Sequence, residues 1–337
     1  MALTIERDRA RGCLAGLALG DALGMPTQSM SREQIAEHYG RIDALVDAVA
    51  AQPIAPSMPA GTVTDDTEQA LLLARLLVEG GGRVDPLRFA DALADWEADM
   101  AARGSADLLG PSTKRAIARL RAGEPPEEAG RDGTTNGAAM RVAPVGIAVP
   151  AAAPGALLDA VVAASSVTHG TSTGIAAAAA VAAAVSTGVG GGDLADALDA
   201  AERAAADGAR RGRPTPGGDI AARIRRARGL VAGLDDAALA DTVVEGIGTS
   251  VAAQESVVAA FALVAARGDD PLAALTTAAG IGGDTDTVAA ICGAVLGAHH
   301  GVAGLPGDLV GTVLRVNALD LGPVADDLLA LRHRPRP

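Results

Sequence analysis

Two short stretches of the chain gather more oxygen side chains than the start of a helix uses. In "GTVTDDTEQALLLA" (61–74), Thr64, Asp65, Asp66 and Thr67 run directly into an apolar segment. In "GIGGDTDTVAAICGAVLGA" (280–298), Asp284, Thr285, Asp286 and Thr287 do the same. One reading is helix capping, because Asp and Thr accept hydrogen bonds from the unpaired N–H groups of a first turn and complement the helix dipole. Asp65 followed by Glu68 even resembles a capping box. The other reading is a cation site. Crowded carboxylates repel one another unless they take up protons or share a cation. Oxygen donors with no Cys and no adjacent His favour Mg²⁺ or Mn²⁺ over zinc. If the two helix starts meet in space, Thr64, Asp65, Asp66, Asp284, Asp286 and Thr287 surround one cavity. That set suffices for two divalent cations with one aspartate bridging.

The elements that must position these residues read as helices. Nearly half of the 337 residues are apolar, mostly Ala, Val and Leu, while Tyr39, Phe89, Trp96 and Phe261 are the whole aromatic set. A core without rings closes through small residues and tightly approaching helices, and the alternation expected of strands is hard to find, so the fold class is all-α. Gly12, Gly16, Gly20 and Gly24 recur every fourth residue, which on a helix puts them on one face open to a neighbouring backbone. Further helices are predicted over 64–80, 85–100, 110–123, 155–168, 172–187, 235–247 and 250–267, with a last long helix from about Asp286. Lys114, Arg115 and Arg119 are expected to face outward. Residues 25 to 61, with "AQPIAPSMPAG", read as a long surface loop, and the Arg-rich 205–219 as another. No interdomain linker and no 20–50-residue repeat is evident, so 1–337 is expected to be one domain with its core at about 10–310.

The formal net charge of −13 repels phosphate backbones and anionic lipid, which argues against nucleic-acid and membrane partners. Cys13 and Cys292 each lie in a Gly/Ala/Leu-rich run and read as buried free thiols. "MALTIERDRARG" lacks the ordered regions of a signal peptide, and "GIAAAAAVAAAVSTGVGGG" is membrane-like in length alone. A cytoplasmic location is the expectation.

Five motifs occur in order: "GCLAGLALGDALG" (12–24), "GTVTDDTEQALLLA", "TNGAAMRVAPVGI" (135–147), "TH" at 168–169 and "GGDTDTVAAICGAVLGAHHG" (282–301). Together they resemble the ADP-ribosylglycohydrolase family, which includes the dinitrogenase-reductase-activating glycohydrolases. The resemblance implies an all-α helical domain with a binuclear magnesium or manganese centre. On its terms Thr64, Asp65 and Asp66 are ligands on one side and Asp284, Asp286 and Thr287 on the other, with Asp286 as the bridge. It also implies hydrolysis of a ribosyl bond. Such a cleavage develops oxocarbenium character on the sugar, and a metal-flanking carboxylate, Asp65 or Asp66, is the candidate general base.

Substrate grip is expected from Asn136, Gly137, Ala138 and Met140, although without the resemblance this stretch reads equally as a Gly-rich turn. Gly282 and Gly283 would give the backbone room to reach ions and substrate. His169 reads either as a hydrogen-bonded core residue or, by the resemblance, as a site residue. His299 and His300 read as partners of a helix C-terminal dipole. Two departures from the family pattern stand out. Gln28 occupies the place where many members carry a glutamate, and an amide cannot act as a base; it suits a sugar hydroxyl or a metal-bound water instead. The loops 139–150 and 205–219, where relatives offer adenine a ring, contain none. The expected substrate is therefore an ADP-ribosylated protein or small molecule. The alternatives are a smaller nucleoside or ribosyl metabolite, and a non-catalytic, crystallin-like member.

Overall fold

The computed structural model describes residues 2–102 and 109–334. Helix follows helix throughout, and among the described residues β-structure is limited to two isolated bridges, Thr135 with Ala252 and Thr171 with Arg213. Most buried apolar side chains merge into one cluster from Ala10 to Leu331, dominated by Ala, Val and Leu, with Phe89 and Phe261 its fully buried rings, and a small second cluster joins Ala55 to Met100. Cys13 and Cys292 lie within it as free thiols.

A core of small side chains lets backbones touch, and the central helix pair does so. Ala2–Gly24 runs antiparallel along Thr285–His300. A Cβ at Gly12 would lie 2.4 Å from the Gly297 carbonyl oxygen, one at Gly16 2.1 Å from that of Gly293, and one at Gly20 2.0 Å from that of Ala289. At Gly24 it would lie 2.4 Å from the Asp286 Cα. The glycine stripe thus sets the helix separation and brings Asp21 beside the start of the helix that carries Asp286. Ser172–Val189 is long and apolar enough to cross a membrane, but 89% of it is buried inside the molecule, where it packs as a core helix.

The predicted helices form with small shifts: Asp65–Glu79, Pro86–Ala102, Pro111–Arg121, Pro154–His169, Ser172–Val189 and Ala253–Arg267. The stretch predicted over 235–247 is an α-helix, Asp236–Asp241, continued by a π-helical turn, Thr242–Ile247. Three expectations need correction. Residues 25 to 61 are more than a surface loop: they form the turn Met25–Thr27 and the helix Arg32–His38, and Met25, Thr27, Met30, Ile35 and Gln52 are buried. The Tyr39 hydroxyl donates to the Pro26 carbonyl at 3.0 Å and accepts from the Val49 N–H at 2.8 Å, and the Gln52 amide donates to the Met25 carbonyl at 3.1 Å. Pro and Gly punctuate this segment as in a loop, while its interspersed apolar residues hold it on the core. The second correction concerns 205–209, which belong to the helix Leu194–Ala209. Arg119, expected to face outward, bends back to the Ala129 carbonyl at 3.0 Å and pairs with Asp132.

Candidate active site

Seven other helices of this chain are capped in the ordinary way by a Ser, Thr or Asp side chain. Ser31, Thr171, Asp193, Asp219, Asp235, Asp270 and Asp320 each accept a hydrogen bond from an N–H of the helix that follows. The two acidic starts do not: Thr64 and Asp284 hold the N-cap positions with no side-chain capping bond. The Asp65–Glu79 helix is instead capped from another helix. Asp21 Oδ2 accepts from the Thr64 N–H at 2.9 Å and the Thr67 N–H at 3.1 Å. Its two oxygens also accept from the Thr64 hydroxyl at 2.8 Å and the Thr67 hydroxyl at 2.5 Å. This satisfies the orphan donors of the first turn and leaves Asp65 and Asp66 free for other work.

The two acidic starts meet. Carboxylate oxygens of Asp21, Asp66 and Asp286 lie within 4.8 Å of one another, all three buried. The Thr287 hydroxyl donates to Asp66 Oδ2 at 3.2 Å, and the Thr64 hydroxyl approaches the same oxygen at 3.5 Å. Beside this cluster is a cavity of about 140 Å³ whose wall includes Asp65, Asp284, Thr287, Gln28, Thr113, Thr135, Asn136, Gly137 and Met140. A larger, mostly apolar cavity of about 450 Å³ lies near Leu157, Ala183 and Ala200. It holds no group of converging carboxylates, so chemistry rather than volume marks the smaller one as the site.

Five buried carboxylates in so small a space cannot all ionise without help. Burial, and then repulsion from neighbouring aspartates, pushes Asp65, Asp66 and Asp286 well above the usual carboxylate range. Burial also raises Asp284, and it lifts Asp21 to about 6 against the pull of its four donors. The buried guanidinium of Arg141 opposes the effect at Asp65. Asp66 Oδ1 and Asp286 Oδ2 are buried with no hydrogen-bond donor. Buried polar atoms are nearly always satisfied. Two orphaned anionic oxygens in an all-oxygen cluster therefore fit a hard divalent cation.

The remaining predicted residues divide into two groups. Gln28, Asn136, Gly137 and Met140 line the cavity. The Asn136 amide is committed, donating to the Ser256 hydroxyl at 2.8 Å and to Asp284 Oδ2 at 2.5 Å, so it holds a carboxylate in place. Gln28 is half-buried, and its Oε1 has no donor. Ala138, His169, Gly282 and Gly283 do not line the cavity, contrary to their reading as substrate contacts. Ala138 is buried in the core. Gly282 and Gly283 adopt φ of +77° and +78°. Gly283 exchanges backbone hydrogen bonds with Met30 (2.9 Å) and Ser29 (2.7 Å), and a Cβ there would lie 2.4 Å from the Thr249 carbonyl oxygen. These glycines tie the Asp284 loop to its neighbours. His169 is wholly buried behind Gly137, and it bonds to Thr168 at 2.8 Å and Thr135 at 2.9 Å.

Three residues of the site escaped the sequence reading. Asp21 is the only charged residue between Arg11 and Arg32, an isolated acid in an apolar helix, and that isolation was the available signal. Arg141 is fully buried over the Phe89 ring, 5.0 Å from its centroid, and Gln69 joins it to Asp65. Nothing in their sequence surroundings sets these two apart.

Comparison with known proteins bears on the family and the fold. The family model described as ADP-ribosylglycohydrolase matches residues 2–337. The uncharacterized protein YegU of Escherichia coli (strain K12) is 34% identical over 331 residues, covering 98% of this chain and 99% of its own. The ADP-ribosylarginine hydrolase Tri1 of Pseudomonas putida is 34% identical over 42% of this chain and 36% of its own. The ADP-ribosyl-[dinitrogen reductase] glycohydrolase of Rhodospirillum rubrum is 32% identical over 42% of this chain and 45% of its own. A solved structure of an "ADP-ribosylglycohydrolase-related protein complex" superposes with a TM-score of 0.66 at 28% identity, covering 97% of this chain and 98% of that one. Fold and family match thus define an all-α glycohydrolase. The chain belongs to the ADP-ribosylglycohydrolase family.

Proposed function

We propose that this protein hydrolyses the glycosidic bond of an ADP-ribosyl group in the cavity beside Asp65 and Asp284, with two divalent cations, Mg²⁺ or Mn²⁺, held by the acidic cluster. The observation that carries this reading is the orphaned pair Asp66 Oδ1 and Asp286 Oδ2 in a cluster built from both acidic helix starts. Thr64, Asp65, Asp66, Asp284, Asp286 and Thr287 would hold the ions, Asp286 bridging, and Asp21 joins these six as a seventh oxygen-bearing neighbour that also fixes the first turn. When bound, such ions supply charge stabilisation and a more acidic water. The rest falls to the protein. Asp65, on the cavity wall and with one oxygen held by Gln69, accepts the proton of the attacking water as C1″ of the ribose loses its bond to the leaving group, which departs with the electron pair. Gln28 offers its free Oε1 to a sugar hydroxyl. Asn136 keeps Asp284 aimed at the cavity.

The family and the two relatives named for ADP-ribosyl substrates support a modified protein as the substrate, arginine-linked in the first instance. The cavity favours a second candidate. It is about 140 Å³, and its described lining contains no cation and no aromatic ring, which suits a ribosyl group on a smaller molecule. A panel of ADP-ribosylarginine peptide, ADP-ribosylserine peptide and free nucleosides separates the two. Release of ADP-ribose with Mg²⁺ or Mn²⁺, falling at least 100-fold in EDTA and returning on adding metal back, is expected. Turnover of nucleosides alone would select the smaller substrate, and turnover unaffected by EDTA would reject the metal centre.

A further inference from the structure

Arg141 stands at the centre of a hydrogen-bonded chain that leaves the cavity wall and returns to it. In one direction its guanidinium donates to Gln69 Oε1 at 3.0 Å, and the Gln69 amide donates to Asp65 Oδ2 at 3.0 Å. In the other it donates to the Thr168 hydroxyl; Thr168 meets His169 Nδ1 at 2.8 Å, and His169 Nε2 meets Thr135 Oγ1 at 2.9 Å. Both ends, Asp65 and Thr135, line the same cavity.

The chain has a direction. Arg141 is always a donor, so the Thr168 oxygen is an acceptor toward it. The hydroxyl proton of Thr168 can go to His169 Nδ1 at 2.8 Å or to the Ser165 carbonyl at 3.4 Å, and the shorter contact takes it. Nδ1 is then an acceptor, and Nε2 carries the hydrogen of the neutral ring and donates it to Thr135. Burial and the Arg141 charge both oppose a second proton on the ring. With its lone pair engaged by His169, the Thr135 hydroxyl has its own proton left for the cavity. Gly137 leaves room for this arrangement: a Cβ there would come within 2.9 Å of the His169 ring.

We infer that Arg141 is a positioning residue that sets both walls of the site, fixing Asp65 as an acceptor and Thr135 as a hydrogen-bond donor toward an acceptor oxygen of the ribosyl substrate. The kinetic part of this inference rests on the proposed hydrolysis; the proton arrangement does not. The latter is read from ¹⁵N-histidine-labelled protein by two-bond ¹H–¹⁵N correlation, with the His169 signals assigned by their loss in His169→Gln. The Nε2–H tautomer is expected at His169, and the Nδ1–H tautomer would overturn the assignment of Thr135 as a donor whether or not substrate is turned over. In kinetics, Thr135→Val is expected to raise KM about tenfold with kcat within about twofold, and Thr135→Ser to recover most of the loss. Arg141→Met is expected to raise KM by a similar factor and lower kcat as well, and adding Thr135→Val to it should raise KM no further. If Arg141→Met does not fold, Thr168→Val replaces it in the cycle, breaking the same link with nearly the same volume. Multiplying KM effects in the double variant, or a KM unchanged in Thr135→Val, would contradict the inference.

Discussion

Asp286→Asn is expected to yield a folded protein that has lost its thermal response to divalent cations and at least about 10³-fold of its hydrolytic rate. Asp286 is fully buried, one of its oxygens has no donor, and Asp284, Asp66 and Asp21 crowd it. Its other oxygen accepts from the Thr287 N–H at 2.9 Å, a bond the Asn side-chain oxygen can keep. The substitution therefore removes charge with little change of shape. In EDTA that removal relieves repulsion, so the variant should melt at or above the temperature of the unaltered protein. With cation present the order should reverse. A ligand that binds the folded state alone stabilises it by about 2.7 kcal/mol at 100 times its Kd, and the variant lacks the oxygen that would share the ions. Differential scanning fluorimetry with and without Mn²⁺, beside the hydrolysis assay, checks both halves. A variant retaining both its Mn²⁺ shift and its rate would remove Asp286 from the site.

The second large effect belongs to the scaffold. Gly20→Ala is expected to destabilise the protein by about 3 kcal/mol or more, seen as a lower urea midpoint or as loss of soluble protein at 37 °C. The added Cβ would lie 2.0 Å from the Ala289 carbonyl oxygen and 2.4 Å from its carbon, and these are backbone atoms of a central helix that no rotamer change can move aside. Relief requires the two helices to separate. Separation would draw Asp21, next in sequence, away from Thr64 and Thr67 and from Asp286. Loss of cation binding should therefore accompany loss of stability. Gly155→Ala is the contrast, because no atom lies within 4 Å of its added Cβ. It should leave the midpoint nearly unchanged.

How much of this could be read from sequence varies with the kind of signal. Asp65, Asp66, Asp284 and Asp286 were legible because each pair exceeds what a helix cap uses, and the structure shows that neither start caps itself. The glycine stripe was legible because its four-residue period maps onto one helix face. Asp21 was not, since its cap is made across 43 and 46 residues of chain and depends on a contact between helices. Arg141 and Gln69 were hidden for the same reason: a buried guanidinium looks in sequence like any surface arginine. His169, read either as a core residue or as a substrate contact, is buried with Thr135 and Gly137 standing between it and the cavity, an arrangement that its place in the chain does not reveal. Residues 25 to 61 misled because proline and glycine mark turns, and turns can lie against a core as well as on a surface.

A divalent metal centre in the acidic cluster, loaded with Mn²⁺, would scatter anomalously. Crystals grown with Mn²⁺ and measured at the manganese absorption edge test it most directly. Two anomalous peaks in contact with Asp66 and Asp286 are predicted, both missing in Asp286→Asn. Manganese absent from this cluster, or bound solely to exposed carboxylates elsewhere, would show that the cluster is not a metal centre.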